Sequence, residues 1–191
     1  MTSIPPDLLP EGFRDRLPPQ AEAAARVARA MLDVLASNGY ARVSPAIAEF
    51  ESGLAARSGG ATRNQLLRFT DPVSGHTLAL RGDITVQVGR IATTRMADTP
   101  RPLRLCYHGQ VLRLRARQLR PEREITQLGA ELVGNDSVAA ASEIVSVAID
   151  ALEAAGVQDI TVDFTLPDLV ETLAVNALPL SADQIDAVRS E

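Results

Sequence analysis

The 191-residue sequence has no lysine and no tryptophan, one cysteine, two histidines and six other aromatic side chains. A single cysteine, Cys106, excludes an internal disulfide, and two histidines, His76 and His108, are too few to build a zinc cluster with it. Cys106 and His108 lie two apart in a strand-like stretch and so share a face, where a core thiol and a polar neighbour account for them better than a metal pair. No apolar run reaches the roughly 18 residues of a membrane span. The start, MTSIPPDLLPEGF, has neither the basic nor the apolar region of a signal peptide. The chain is therefore expected in the cytoplasm, with no membrane partner. Its 46% hydrophobic and 23% charged residues give enough apolar material for a folded core.

All 19 basic residues are arginine, against 24 carboxylates, and the net charge of -5 excludes a generally basic nucleic-acid binder. The arginines are unevenly placed. Seven lie between Arg101 and Arg123 with Glu122 as the only acid, so that stretch carries +6 while the rest of the chain carries -11. That local excess is the first functional indication.

Pro18 and Pro19 lead into AEAAARVARAMLDVLASN, in which Ala23, Val27, Ala30, Met31, Val34 and Leu35 recur at helical spacing and line one face. Gly39 is placed to end this helix in the left-handed conformation. Residues 40–43 read as a short strand stopped before Pro45, and AIAEFESGLAAR as a loop with a helical turn. LLRFT and HTLALR flank the turn formers DPVSG and predict a hairpin. Thr85 is positioned to cap a helix over TVQVGRIATTR, with Val86, Val88 and Ile91 as its apolar positions, which puts residues 81–83 at a strand-to-helix junction.

The strongest pattern follows. PLRLCYHGQVLRLRAR and REITQLGAELVG both alternate polar with apolar residues, and QLRPE separates them, which predicts two long antiparallel strands joined by a loop. A period of two puts Arg113, Arg115 and Arg117 on one face and Leu112, Leu114 and Ala116 on the other. On the return strand Arg123, Ile125, Gln127, Gly129 and Glu131 share one side, and Thr126, Leu128, Ala130 and Leu132 the opposite one. The hairpin is expected to offer a polar face of arginines, an amide and a carboxylate. Beyond Gly134, Asn135 or Asp136 is expected to cap a helix that closes on Gly156; DITVDFT reads as a strand, and PDLVETLAVNA and SADQIDAVRS as helices. The helical pattern still running at Glu191 is expected to belong to a longer protein.

Guanidinium groups bind carboxylate or phosphate oxygens in a fork, and a nearby carboxylate and amide can receive an ammonium group. The hairpin face thus suits an amino acid or a nucleotide, although alternating arginine and leucine also describes any half-exposed strand. Arg81, Asp83 and Thr85 are equally consistent with a salt bridge and a helix cap. The Gly59-Gly60 pair lacks the spacing of a phosphate-binding loop, and neither histidine lies in a nucleophile motif.

Taken in order, LLPEGFRD, GYARVSP, LRFTDPVSGHTLALRGDIT and YHGQVLRLRARQLRPEREITQLGAELVG resemble the catalytic domain of histidyl-tRNA synthetase, a class II synthetase, from about Leu8 to Gly134. The resemblance implies an α+β fold, a mostly antiparallel sheet flanked by helices, with residues 1–191 as the N-terminal part of the domain. GYARVSP, near 39–45, resembles the motif 1 that builds a homodimer interface, and residues near 104–134 resemble motif 2. Carried over by position, Arg113 matches the arginine that contacts the amino-acid carboxylate and the α-phosphate. Gln127 and Glu131 match the residues that receive the α-amino group, and Asp83 and Thr85 the pair that completes that pocket. Three places depart from the synthetase pattern: Arg115 stands where an acid would hold the adenine end of ATP, Ile125 where an aromatic ring would stack on adenine, and Arg81-Gly82-Asp83 where the synthetase has Arg-Pro-Glu. A kept histidine half and an altered ATP half are similar to the paralogous family of regulatory subunits of ATP phosphoribosyltransferase. That resemblance implies no catalytic residues and no cofactor, histidine as a regulatory ligand, and the short-form catalytic subunit as partner. No nucleic acid is expected. A divergent or truncated synthetase, and a scaffold with a vestigial pocket, are the alternatives.

Overall fold

The structure is a computed structural model that describes residues 8–58, 65–115 and 121–165, with a few isolated positions between 172 and 184. Helix α1 spans Gln20–Ser37. Gly39, at φ +82°, turns the chain out of it, with the Gly39 amide donating to Ala36 and the Tyr40 amide to Leu35, both at 3.0 Å. This satisfies carbonyls that a helix end leaves open, in a conformation that glycine adopts without steric cost. The face of α1 differs slightly from expectation: Leu35 is buried and Leu32 packs beside it, while Val27 is 42% exposed.

Two short strands follow, β1 (Ala41–Arg42) and β2 (Ala48–Phe50), then helix α2 (Glu51–Ser58). Residues 46–57, read from sequence as a loop with a turn, thus supply a sheet strand and a two-turn helix. Three-residue strands have too few alternations to register as a period, and β2 forms because β4 offers it a ladder. Strands β3 (Arg68–Thr70) and β4 (Thr77–Leu80) make the expected hairpin, and β4 lies between β2 and β3 in an antiparallel sheet. The Asp71 carboxylate fixes the turn by accepting from the Val73 and Ser74 amides and the Ser74 hydroxyl.

Helix α3 (Thr85–Thr94) leads to β5 (Leu103–Leu112), which pairs with β6 (Glu124–Val133) in ten consecutive antiparallel pairs from Leu103–Val133 to Leu112–Glu124. Strand β1 adds in parallel to the other side of β5. Helix α4 (Val138–Ala154) is capped by Ser137, whose hydroxyl accepts from the Ala140 amide at 3.2 Å. Neither Asn135 nor Asp136, the two expected caps, serves: Asn135 instead accepts from the amide of Ser137, the residue that caps.

Period two sorts β5 and β6 into two cores, and not into one polar and one apolar face. Leu103, Leu105, Tyr107 and Val111, with Ile125 and Val133, pack under Ile84, Val88 and Ala92 around α3. On the reverse face Cys106, Leu128 and Ala130 meet Leu35, Tyr40, Ile144 and Val147 of the α1–α4 side. The buried Cys106 thiol reaches the Tyr40 carbonyl at 3.6 Å, and burial pushes its pKa up. A third core of Leu54, Leu66 and Ala79, joined by Val86, fills the space beside the smaller sheet.

Elements Gln20 to Ala154 belong to one compact unit, Met1–Gln158; the second comprises Asp159–Glu191. The expected strand at DITVDFT does not form: residues 159–165 alternate in polarity but take no ladder partner among the described residues. The two helices expected beyond lie outside the described residues. No helix among those described is long and apolar enough to cross a membrane.

Glu143 ties the α1 end, β5 and α4 together. Arg104 donates to both its oxygens, at 2.6 and 2.7 Å, and the Tyr40 hydroxyl donates at 3.0 Å. The Arg104 hydrogen bonds hold the Glu143 carboxyl below its ordinary range, against a smaller opposing effect of burial. A carboxylate depressed in the folded state stabilises at neutral pH and loses that contribution as pH falls through its folded-state value. Glu143→Gln is therefore expected to lower the thermal midpoint at pH 7, with the difference from wild type shrinking on acidification. In the adjacent core, Leu105→Ala should cost about 2 to 5 kcal/mol in chemical denaturation, since Leu105 is only 1% exposed.

Candidate functional site

The strand-to-helix junction at 81–85 meets the polar positions of the larger sheet at the start of α3. Gln127, opposite Gly109 on β5, reaches the junction with its amide group. Its Oε1 accepts from the Ile84 amide at 2.9 Å, and its Nε2 donates to Asp83 Oδ1 at 2.8 Å. The same Asp83 oxygen accepts from the Thr85 amide at 3.0 Å. Asp83, and not Thr85, therefore satisfies the first turn of α3. This frees the Thr85 hydroxyl, which lies 2.9 Å from the Tyr107 hydroxyl. Tyr107 in turn donates to Glu131 Oε1 at 3.2 Å. Four of the five expected site residues, Asp83, Thr85, Gln127 and Glu131, are thereby joined in one hydrogen-bonded chain.

The fifth, Arg113, stands apart. It extends the β5–β6 ladder by one pair, its amide donating to the Arg123 carbonyl at 2.8 Å. It shares the strand face of Gln127 but lies four positions further along, roughly 13 Å at the rise of a strand. The residue is half-buried, and its side chain takes no partner among the described residues.

The expected row of arginines does not form a strand face. Strand β5 ends at Leu112, and the Leu114 amide leaves the hairpin to donate to the Gln65 carbonyl at 3.1 Å, which bends the chain at Leu114 and Arg115. Arg115 is exposed there, and Arg117 lies outside the described residues, as does Gly59-Gly60. Arg120 too lies outside the described residues, and the other three arginines of the basic stretch have internal tasks. Arg101 donates to the Ala92, Met96 and Thr99 carbonyls at the end of α3. Arg104 is held by Glu143, and Arg123 lies over the Phe13 ring, 4.9 Å from its centroid.

Two further residues shape the site, Arg81, whose role differs from the sequence reading, and Tyr107, which sequence did not single out. Arg81, read there as a salt-bridge candidate, makes none: it is 7% exposed and donates instead to the Gln110 and Pro45 carbonyls, both at 2.7 Å. Gly109 makes room for it, because a Cβ at that position would strike the guanidinium. Tyr107 is 3% exposed, and burial together with the nearby Glu131 and Asp83 carboxylates pushes its hydroxyl up to about 12, partly offset by the Thr85 hydrogen bond. It stays protonated at any physiological pH. Its phenol lies over Gly129, its cross-strand partner, where a Cβ would come within 2.5 Å of the hydroxyl. The signal was present as shared strand phase, but only the register reveals that Tyr107 faces a residue without a side chain.

Among the described residues no three of His, Cys, Asp and Glu gather closely enough to hold a metal ion. Ile125 packs into the core beside α3, where it offers an aliphatic surface and no ring for a base to stack on. On the reverse face of the hairpin, Arg14, Arg16, Gln110, Glu122 and Glu124 line a separate polar recess of about 290 Å³.

Comparison with known proteins matches residues 12–191 to the histidyl-tRNA synthetase family. The chain is 48% identical over 182 residues to an ATP phosphoribosyltransferase regulatory subunit from Rhodospirillum centenum, covering 95% of this chain and 47% of the relative. It is 46% identical over 182 residues to the protein of that name from Rhodospirillum rubrum, with the same coverage. The chain thus spans about half the length of the curated relatives it matches. Among solved structures, an ATP phosphoribosyltransferase regulatory subunit/histidyl-tRNA synthetase from Bacillus halodurans superposes with a TM-score of 0.83 at 27% identity, covering all of this chain and 48% of that one.

Gly129→Ala should force the Tyr107 ring out of its place. Crowding of this kind typically costs about 1 to 3 kcal/mol, read as a lower denaturant midpoint at unchanged slope. An unchanged midpoint would show that the ring has room to move.

Proposed function

The chain belongs to the histidyl-tRNA synthetase family, and on that premise we propose that it is the amino-acid-sensing part of a non-catalytic regulatory subunit of ATP phosphoribosyltransferase. In this reading it assembles in the cytoplasm with the short-form catalytic subunit, and as a homodimer through the motif 1 region near 39–45. It contributes to the first step of histidine biosynthesis and to its feedback inhibition by histidine. The observation that carries the reading is the linked set Asp83, Thr85, Gln127 and Glu131, which retains the chemistry for an α-amino group. Beside it, the positions that would serve ATP hold Arg115 and Ile125. A cation in place of an acid and an aliphatic side chain in place of a ring both weaken purine binding without touching the ammonium pocket. The names of the curated relatives support the same choice over an aminoacylating enzyme.

A sensor works only if its ligand binds one assembly state better than another. A coupling of about 1 to 3 kcal/mol, or 5- to 150-fold in affinity, is typical of such regulation. Arg113 serves as the candidate contact for the histidine carboxylate, and the described pocket supplies the ammonium contacts.

Reconstitution with the short-form catalytic subunit tests this. Phosphoribosyl transfer is expected to require both proteins and to be inhibited by histidine. Glu131→Ala is expected to preserve assembly while raising the half-inhibitory histidine concentration at least about tenfold, the scale of one lost hydrogen bond to a charged group. Activation that histidine does not inhibit, in the wild type, would leave only a scaffolding role.

A further inference from the structure

We propose that Tyr107 is a positioning residue that makes the pocket selective for an ammonium group, by fixing the direction of the hydrogen bonds through Thr85 and Glu131. The inference rests on the amino-acid reading of this site. Tyr107 carries one proton and has two oxygens within reach, Thr85 Oγ1 at 2.9 Å and Glu131 Oε1 at 3.2 Å. A carboxylate only accepts, so the Tyr107 proton is directed to Glu131. The Thr85–Tyr107 bond must then run the other way, with the Thr85 hydroxyl donating to the phenol oxygen. Thr85, exposed at the mouth of the site, is left with lone pairs and no proton to offer.

The other groups point to the same polarity. Asp83 Oδ1 is occupied by the Thr85 amide and by Gln127, and Oδ2 takes no donor among the described residues. Glu131 likewise has only Oε1 engaged. Thr85, Asp83 and Glu131 thus present acceptors, and an ammonium, with three N–H donors and no lone pair, complements such a set. A hydroxyl or a methyl group at the same place would leave acceptors unmatched. Burial of the phenol at 3% exposure, over the bare Cα of Gly129, holds it in the one position from which it reaches both neighbours.

Calorimetric titration of the purified protein with histidine and with imidazole-4-propionate, the same molecule without its ammonium, separates the possibilities. Tyr107→Phe keeps the ring in the core and removes the hydroxyl, and with it the bonds to Thr85 and Glu131. It is expected to weaken histidine binding at least about tenfold while leaving imidazole-4-propionate within about twofold, so that the preference for the ammonium collapses. Thr85→Ser should retain the preference and Thr85→Val should lose it, and because Thr85 is exposed these variants report even where Tyr107→Phe is unstable. In the Tyr107→Phe background, Thr85→Val should add little. Equal weakening of both ligands by Tyr107→Phe, or unchanged histidine binding, would overturn the proposal while leaving the amino-acid reading in place. Failure of the wild type to bind histidine would overturn that reading and the proposal with it.

Discussion

Ten uninterrupted pairs between β5 and β6 set the position of nearly everything else in this molecule. With helices on both sides, each strand must send alternate residues into different cores, and no residue can slip by one without exchanging a buried leucine for a polar group. The register that places Leu105 and Val111 under α3 also places Gln127 and Glu131 on that side. Their polar groups are tolerable at the edge of a core because the start of α3 supplies partners: the Ile84 amide, the Asp83 carboxylate and the Thr85 hydroxyl. The site is thus a seam between a strand pair and a helix terminus, where open backbone donors meet side-chain acceptors.

Arginine performs two distinct tasks around this seam. Arg81, Arg101, Arg104 and Arg123 each engage backbone carbonyls, a carboxylate or an aromatic ring, and so fasten loops and helix ends to the sheet. A planar fork of five donors suits such work better than a lysine ammonium would. Arg113 and Arg115 differ in having no internal partner among the described residues, and they sit where the hairpin stops. Three of the seven arginines in the basic stretch, Arg101, Arg104 and Arg123, thus do structural work.

Much of this was legible in the sequence, and the failures have physical causes. Long elements with clear periods, α1, α3, β5, β6 and α4, were readable because burial imposes repetition over many residues. Strand β2 and helix α2 were not, since three-residue strands exist by virtue of their neighbours. DITVDFT shows the converse, alternation without a ladder to join. At the site, four of five residues came together as the family resemblance implied. Tyr107 escaped notice because its importance lies in the pairing with Gly129 and the reach to Thr85, neither of which is a property of its own stretch of chain. The hairpin face was misjudged for a related reason: polarity predicts exposure on average, but Gln127 and Glu131 are polar groups satisfied beside a core.

The proposed sensor keeps the amino-acid half of a synthetase pocket and gives up the nucleotide half. Histidine-dependent exchange of labelled pyrophosphate into ATP, measured on protein that binds histidine by calorimetry, tests this most directly. No exchange above background is predicted, because the proposal leaves ATP without adenine contacts at Arg115 and Ile125. Clear exchange that requires both histidine and ATP would contradict the account and identify a working synthetase.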